Sequence, residues 1–334
     1  MIKILYLFTN KHSASFIFYK NSLKKEKSFN INFLTKLPNN YREYDFIFLQ
    51  SGFNKVKNFK KFNNDVKIVL VEPRLGHDND LKLKFDLVIF NSIESQIFFS
   101  NKIEYLEDII YPTFPEYVVR KMNRFKKKNE IVITYHGNKV HLENFKKIIW
   151  NAVKNLSYVF KDKKIKVNLI YNIKNLGISK NVSSNKNISI SHVQYSESNI
   201  RNILSKTDIG LVPQTIQRKN IFKILYKKGS NNFDLIFKES TNLGRHLVFG
   251  QFQIPVITEP TPSVIKFFDR KSIQYIAYDK ETWSNILIKL ISNYKLRTDL
   301  GSRLHKVWFK NFKHHILNKK LSICLKKIKK YNDN

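Results

Sequence analysis

The chain has a single cysteine, Cys324, among its 334 residues. One thiol excludes an internal disulfide and suits a reducing compartment. No stretch approaches the roughly 20 apolar residues that a membrane-spanning helix needs. The apolar start, Ile4 to Phe8, is too short for the core of a secretory signal and runs straight into a polar loop. Carboxylates are scarce, with 26 Asp and Glu against 60 Lys and Arg. The Cys/His spacings of a zinc site are missing. So are the G-x-S-x-G and G-x-x-x-x-G-K-[ST] signatures of hydrolases and nucleotide triphosphatases. No repeat of solenoid period recurs. The expectation is a cytoplasmic protein without a bound metal.

What is present is enough for packed cores: 42% of residues are hydrophobic and 14% aromatic. The length suits about two domains. The net charge of +34 has three readings. It is a generally basic surface of the Lys- and Asn-rich kind that an AT-rich genome produces, or an attraction to anionic membrane or acidic substrate, or nucleic-acid binding. The last lacks any recognition motif.

Strand-like runs at Ile2–Phe8, Ile31–Leu34, Phe46–Gln50, Lys67–Val71 and Leu87–Phe90 alternate with helix-length segments, Ala14–Lys25 first among them. That alternation predicts a parallel α/β layer. Pro112-Thr113-Phe114-Pro115 interrupts it, and a charged run follows. A second series restarts at Ile131–Tyr135. It continues with a helix over Glu143–Phe160, strands at Val167–Tyr171 and Ile188–Val193, and a helix over Ser196–Ser205. After Ile209–Val212 comes a long polar loop, Gln214–Ser230. Strands at Val256–Thr258 and Tyr275–Tyr278 and terminal helices complete the series. The expected organisation is a first Rossmann-like domain over 1–118, a linker over 119–130, a second Rossmann-like domain over 131–311, and a helix over 312–334 returning to the first domain. The fold class is α/β, two Rossmann-like domains facing across a cleft.

Ligands of open α/β sheets sit beyond the carboxyl ends of the strands. Attention therefore falls on KESTNLGRHLVFGQFQIPVITEPTPS, residues 238–263. Thr241 or Asn242 caps a helix there, whose first amides favour an anion. Arg245 brings a forked cation and Gly244 an approachable backbone. Gly137 and Lys139, after the first strand of the same domain, supply a second wall. The bland alternative is a plain helix cap with Arg245 paired to a carboxylate. His12, His136 and His141 lie in or near the same set of loops, and His136 directly follows a strand. The His77-Asp78-Asn79-Asp80 stretch has a D-x-D triplet, read here as a helix cap rather than a metal site.

The second half resembles the nucleotide-binding domain of GT-B fold glycosyltransferases of the family 4-like group. YHGNKVHLENF (135–145), ILSKTDIGLVPQ (203–214) and STNLGRHLVFGQFQIPVITEP (240–260) carry the resemblance, over roughly residues 130–310. It implies transfer of a sugar from a nucleotide diphosphate donor to a hydroxyl of a surface glycan or lipid-linked acceptor. The donor is a substrate, so no cofactor is expected, and the diphosphate is held without a metal. The donor-site residues it points to are His136, Gly137, Asn138, Lys139, Gln214, Glu239, Ser240, Thr241, Asn242 and Arg245. Candidate bases for an inverting reaction are His12, Glu72 and Asp78; a retaining reaction need not use one. Many members carry two glutamates where this chain has Ser240 and Val248, so ribose is held differently here. The Lys-rich segment Lys319–Lys330 is expected to touch an anionic membrane face. The alternative is a non-catalytic basic protein, binding nucleic acid or acting as a scaffold.

Overall fold

The computed structural model describes residues 1–50, 66–73, 84–119, 129–138, 141–142, 145–178, 184–216, 236–237, 242–268 and 275–330. The chain forms two compact units. The first comprises Met1–Glu116, Glu239–Gly244 and Lys310–Asn334; the second comprises Tyr117–Lys238 and Arg245–Phe309. Most of the expected linker, residues 120–128, lies outside the described residues.

The first unit is built on a six-stranded sheet of β1 (Ile2–Leu7), β2 (Phe29–Leu34), β3 (Phe46–Gln50), β4 (Lys67–Val71), β5 (Lys84–Phe90) and β6 (Glu104–Ile110). The order is β2-β1-β3-β4-β5-β6, all parallel. β3 is buried along its whole length and β4 nearly so, which is why both read as unbroken apolar runs. Helices α1 (Ala14–Leu23) and α2 (Ile93–Phe99) connect the strands, and the Ser92 hydroxyl caps α2 through the Ser95 N–H. β6 is absent from the sequence expectation. It pairs only with β5, so its outer residues tolerate charge, and Glu104, Glu107 and Asp108 break the apolar pattern.

The second unit has a five-stranded sheet of β7 (Glu130–His136), β8 (Lys164–Tyr171), β9 (Ile188–Gln194), β10 (Ile209–Val212) and β13 (Val256–Thr258). Its order is β13-β10-β7-β8-β9, again all parallel. The helix expected over 143–160 opens with a π-helical turn, Phe145–Ile149, and continues as α3 (Trp150–Val159). α4 (Ile173–Leu176) and α5 (Glu197–Leu204) follow, the latter capped by Ser196. Two short strands, β11 (Thr215–Ile216) and β12 (Ile236–Phe237), pair antiparallel at the ends of the expected long loop. Then come α6 (Gly244–Gln251), α7 (Pro262–Phe267), α8 (Lys280–Ser292) and α9 (Tyr294–Asn311). The core gathers Tyr135, Phe145, Val153, Trp283 and Leu287. Gly210 admits α6 to the sheet: a Cβ there would lie 2.8 Å from the Phe249 ring.

One expected strand is corrected. Tyr275–Tyr278 makes only an isolated bridge from Ile276 to Thr258. The capping box of Asp279 and Thr282 starts α8 at once, which leaves no room for a longer ladder.

α10 (His314–Lys330) belongs to the first unit and packs on α1 and β6. Leu317, Leu321, Leu325 and Ile328 form its buried stripe. The Tyr111 hydroxyl donates to Asn318 Oδ1 at 2.7 Å, and Asn318 Nδ2 donates to the Ser22 carbonyl at 2.9 Å.

In each sheet the chain order reverses at one point: between β1 and β3 in the first, between β7 and β10 in the second. Such reversals open a crevice at the carboxyl ends of the two strands concerned.

Candidate functional site

At the reversal of the second sheet, β7 ends in His136 and Gly137, and β10 runs into Pro213 and Gln214. Arg245, in the first turn of α6, meets both ends. Its Nη2 donates to Gln214 Oε1 at 3.0 Å. The guanidinium also lies beside the Tyr135 hydroxyl, which donates to the Asn138 carbonyl at 2.6 Å. Gly137 makes this approach possible. A Cβ there would sit 2.9 Å from Tyr135 Oη and 3.2 Å from Arg245 Nη1, and its φ of +153° is one that other residues rarely adopt. The ring of His136 packs at a tilt against the Phe249 ring of α6, centroids 4.9 Å apart. Below them Glu259, just after β13, accepts the Gln214 N–H on Oε2 at 2.8 Å.

Gln214 and His136 are buried and Arg245 is half-buried, and not all of their polar atoms are satisfied. Arg245 Nη1, Gln214 Nε2 and His136 Nε2 have no hydrogen-bond partner. Gln214 is 1% exposed and His136 6%. Buried polar groups in folded proteins are almost always paired, and each orphan costs about 1–3 kcal/mol. Burial pulls the Arg245 pKa below its usual value, while the Tyr135 hydroxyl and the Glu259 carboxylate support the charge. Burial, and then the nearby Arg245 charge, pull His136 down to about 3, against an opposing interaction with the Arg245 backbone. The imidazole is therefore neutral near pH 7. The Arg245 guanidinium and the Gln214 amide converge on one place beside a neutral imidazole, with open donor capacity on Arg245 Nη1 and Gln214 Nε2 that fits an anion with several oxygens.

The structure thus brings together His136, Gly137, Gln214 and Arg245, with Asn138 present through its carbonyl. Lys139, Glu239, Ser240, Thr241 and Asp78 lie outside the described residues. Asn242 belongs to the first unit, where its side chain is fully engaged. Nδ2 donates to the carbonyl and hydroxyl of Thr113 at 3.0 and 2.8 Å, and Oδ1 accepts the Gly244 N–H at 2.8 Å. His12 is exposed, and its backbone N–H is bonded to Asn10 Oδ1. Glu72, after β4, is 2% exposed with φ +51°. Its Oε2 accepts from Ser15 Oγ at 2.5 Å and its Oε1 from Thr113 Oγ1 at 3.1 Å, and Gln50 Nε2 donates to Ser15 Oγ at 2.9 Å. A carboxylate tied on both oxygens acts first as an anchor. Val248 is buried in α6. Glu259 was not among the expected site residues. Its cue was a carboxylate placed directly after a parallel strand, Thr258-Glu259-Pro260.

No protein-family model matches the sequence, and no curated protein sequence does either. Solved structures do match. The UDP-forming α,α-trehalose-phosphate synthase of Burkholderia xenovorans is similar at TM-score 0.58 and 8% identity, over 98% of this chain and 99% of that one. S. aureus TarM, in complex with Fondaparinux, α-GlcNAc-glycerol and UDP, matches at TM-score 0.52 and 9% identity, over 84% of this chain and 55% of that one. UDP-GlcNAc 2-epimerase of Neisseria meningitidis, bound to UDP-GlcNAc, matches at TM-score 0.50 and 11% identity, over 98% and 100%. With its two parallel Rossmann-like sheets, the chain has the GT-B type of fold.

Proposed function

We propose that the chain is a glycosyltransferase whose second unit holds the diphosphate of a nucleotide-sugar donor. The observation behind this reading is the pair of buried, unpartnered donor atoms, Arg245 Nη1 and Gln214 Nε2, at the sheet reversal. Phosphate oxygens would complete them, and Arg245 would stabilise the negative charge that grows as the sugar leaves. The similar structures that contain UDP or UDP-GlcNAc add support. In this reading Lys139 and the residues 239–241 extend the seat, and no metal is needed. The acceptor is a hydroxyl of a surface glycan or lipid-linked carrier, handled by the first unit, with His12, Glu72 and Asp78 as candidate bases.

The test is a melting-temperature screen against nucleoside diphosphates, followed by calorimetry. A ligand at 100 times its Kd stabilises by about 2.7 kcal/mol. Selective stabilisation by one diphosphate is expected, with affinity reduced about 10- to 100-fold in Arg245→Ala. A protein that no nucleotide stabilises would remove the reading.

A second reading shares the nucleotide but not the reaction: epimerisation of the bound sugar, since the epimerase overlaps this chain about as fully as the trehalose-phosphate synthase does. Incubation with UDP-GlcNAc separates them, since an epimerase changes the sugar without releasing UDP.

The place of work we propose is the cytoplasmic face of a membrane. No helix among the described residues is long and apolar enough to cross one. In α10, Lys327 pairs with Glu107 and Lys329 with Asp45, while Lys319, Lys320, Lys326 and Lys330 stand exposed around Ile323, itself 60% exposed. Each lysine near an anionic surface is worth about 1 kcal/mol. Replacing Lys319, Lys320 and Lys326 by Gln is expected to weaken binding to phosphatidylserine vesicles; binding indifferent to these changes and to salt defeats this part.

A further inference from the structure

Glu259 lies at the base of the same site. It is 0% exposed. Pro260 follows it and restricts its backbone. The next residue, Thr261, caps α7 through the Val264 N–H, so the turn that carries the carboxylate is braced on its far side. Glu259 holds the Gln214 backbone, and the Gln214 side chain holds Arg245. Three elements, β13, β10 and α6, are thereby joined in one relay that ends on a guanidinium with an open donor.

We propose that Glu259 is a positioning and specificity residue of this site: it fixes the Arg245 fork through Gln214 and offsets the charge that an incoming anion meets. The inference rests on reading Arg245 as a diphosphate ligand. It has a consequence that the diphosphate seat alone does not. An unopposed buried guanidinium would capture any small anion. With a buried carboxylate near it, a small anion gains little from the guanidinium alone. Net affinity then requires a ligand that also reaches the open donor Gln214 Nε2. Glu259 makes the seat selective for extended, multi-oxygen anions over single small ones. The electrostatic support that Glu259 gives to the Arg245 charge agrees with this arrangement.

The test uses the full chain, with UDP, pyrophosphate and sulfate as probes in calorimetry and a melting curve for each variant. Glu259→Gln keeps the shape and can still accept the Gln214 N–H, but removes the charge. It is expected to bind pyrophosphate and sulfate roughly threefold to tenfold more tightly. The ratio of UDP to sulfate affinity falls. Glu259→Asp keeps the charge but shortens the reach, and Gln214→Leu cuts the relay. Both are expected to bind UDP roughly tenfold more weakly, at melting temperatures close to the parent. Tighter sulfate binding in Glu259→Gln beside weaker UDP binding in Glu259→Asp is not expected of a merely structural carboxylate. If Glu259→Gln weakens binding in step with its melting temperature, or leaves the UDP-to-sulfate ratio unchanged, the proposal is overturned. If that variant does not fold, Glu259→Asp and Gln214→Leu decide by whether UDP affinity falls. Arg245→Ala separates the two layers. Lost binding there with an indifferent Glu259→Gln leaves the diphosphate reading standing and removes only the role of Glu259. UDP binding that survives Arg245→Ala removes both.

Discussion

At the carboxyl end of the first sheet, Glu72, Ser15, Gln50 and Thr113 hydrogen-bond to one another. At the carboxyl end of the second, Gln214 is buried and Arg245 half-buried, and each carries a buried donor atom without a partner, Gln214 Nε2 and Arg245 Nη1. Both clusters occupy the position where open α/β sheets take ligands. The first satisfies itself and binds a strand end, a helix start and a loop into one piece. The second is left incomplete, at a standing cost in stability, and so offers something to a ligand. Burial and polarity alone do not separate an anchor from a site; the state of the hydrogen-bond inventory does.

The contrast can be broken most forcefully at Glu72. Glu72→Ala leaves the buried Thr113 hydroxyl and the half-buried Ser15 hydroxyl without their acceptor, and the expected loss is about 3 kcal/mol, read from urea unfolding. A loss under about 1 kcal/mol would make Glu72 dispensable to the fold and return it to the candidate bases. Val248→Ala should cost about 2 kcal/mol, because it empties part of the second core while touching none of the open donors. UDP affinity is expected to hold; if it falls with stability, α6 positions the site more tightly than the relay does.

A third probe uses acid. His136 is held near 3 in the fold and titrates near 6.5 when unfolded. Between those values the unfolded chain binds one more proton, so its contribution is whole above about pH 6.5 and declines as pH falls towards 3. Its largest slope is about 1.4 kcal/mol per pH unit. His136→Asn is expected to flatten the acid limb of stability by that amount; an unchanged limb would mean that His136 is not buried neutral. The smallest effect is Arg245→Ala on stability alone. Truncation removes one unpartnered donor atom but also leaves Gln214 Oε1 without its donor, so the two effects oppose and the melting temperature should change little, whereas the same truncation at Glu72 lowers it. Early melting with normal UDP binding would make Arg245 an anchor too, and the contrast between the two clusters would disappear.

Much of the fold is legible in the chain because buried parallel strands have no solvent-facing side to interrupt them. β3 and β4 read directly for that reason. β6 does not, since an edge strand carries Glu104, Glu107 and Asp108 on its free side. Tyr275–Tyr278 has a strand's composition but no length of partner, and local composition cannot report that. The site is legible where it depends on neighbours in sequence. A histidine and glycine closing a strand, and an arginine in the first turn of a helix, both announce themselves. Glu259 stands at a strand end, but its role is not legible, because its partner is a backbone N–H 45 residues away. The role of Glu72 depends on Ser15, 57 residues distant, and on Thr113.

The return of α10 to the first unit sets a clock for synthesis. The hydroxyl of Tyr111 waits for Asn318, 207 residues downstream. At about 5–20 residues per second, a ribosome needs roughly 10–40 s to supply it. During that interval the strands of the first sheet are already outside the tunnel, and the apolar ground that Leu317, Leu321, Leu325 and Ile328 will cover lies bare. Nascent chains of this protein should therefore engage a hydrophobic-binding chaperone through the half made first, and release it only when the half made last has passed.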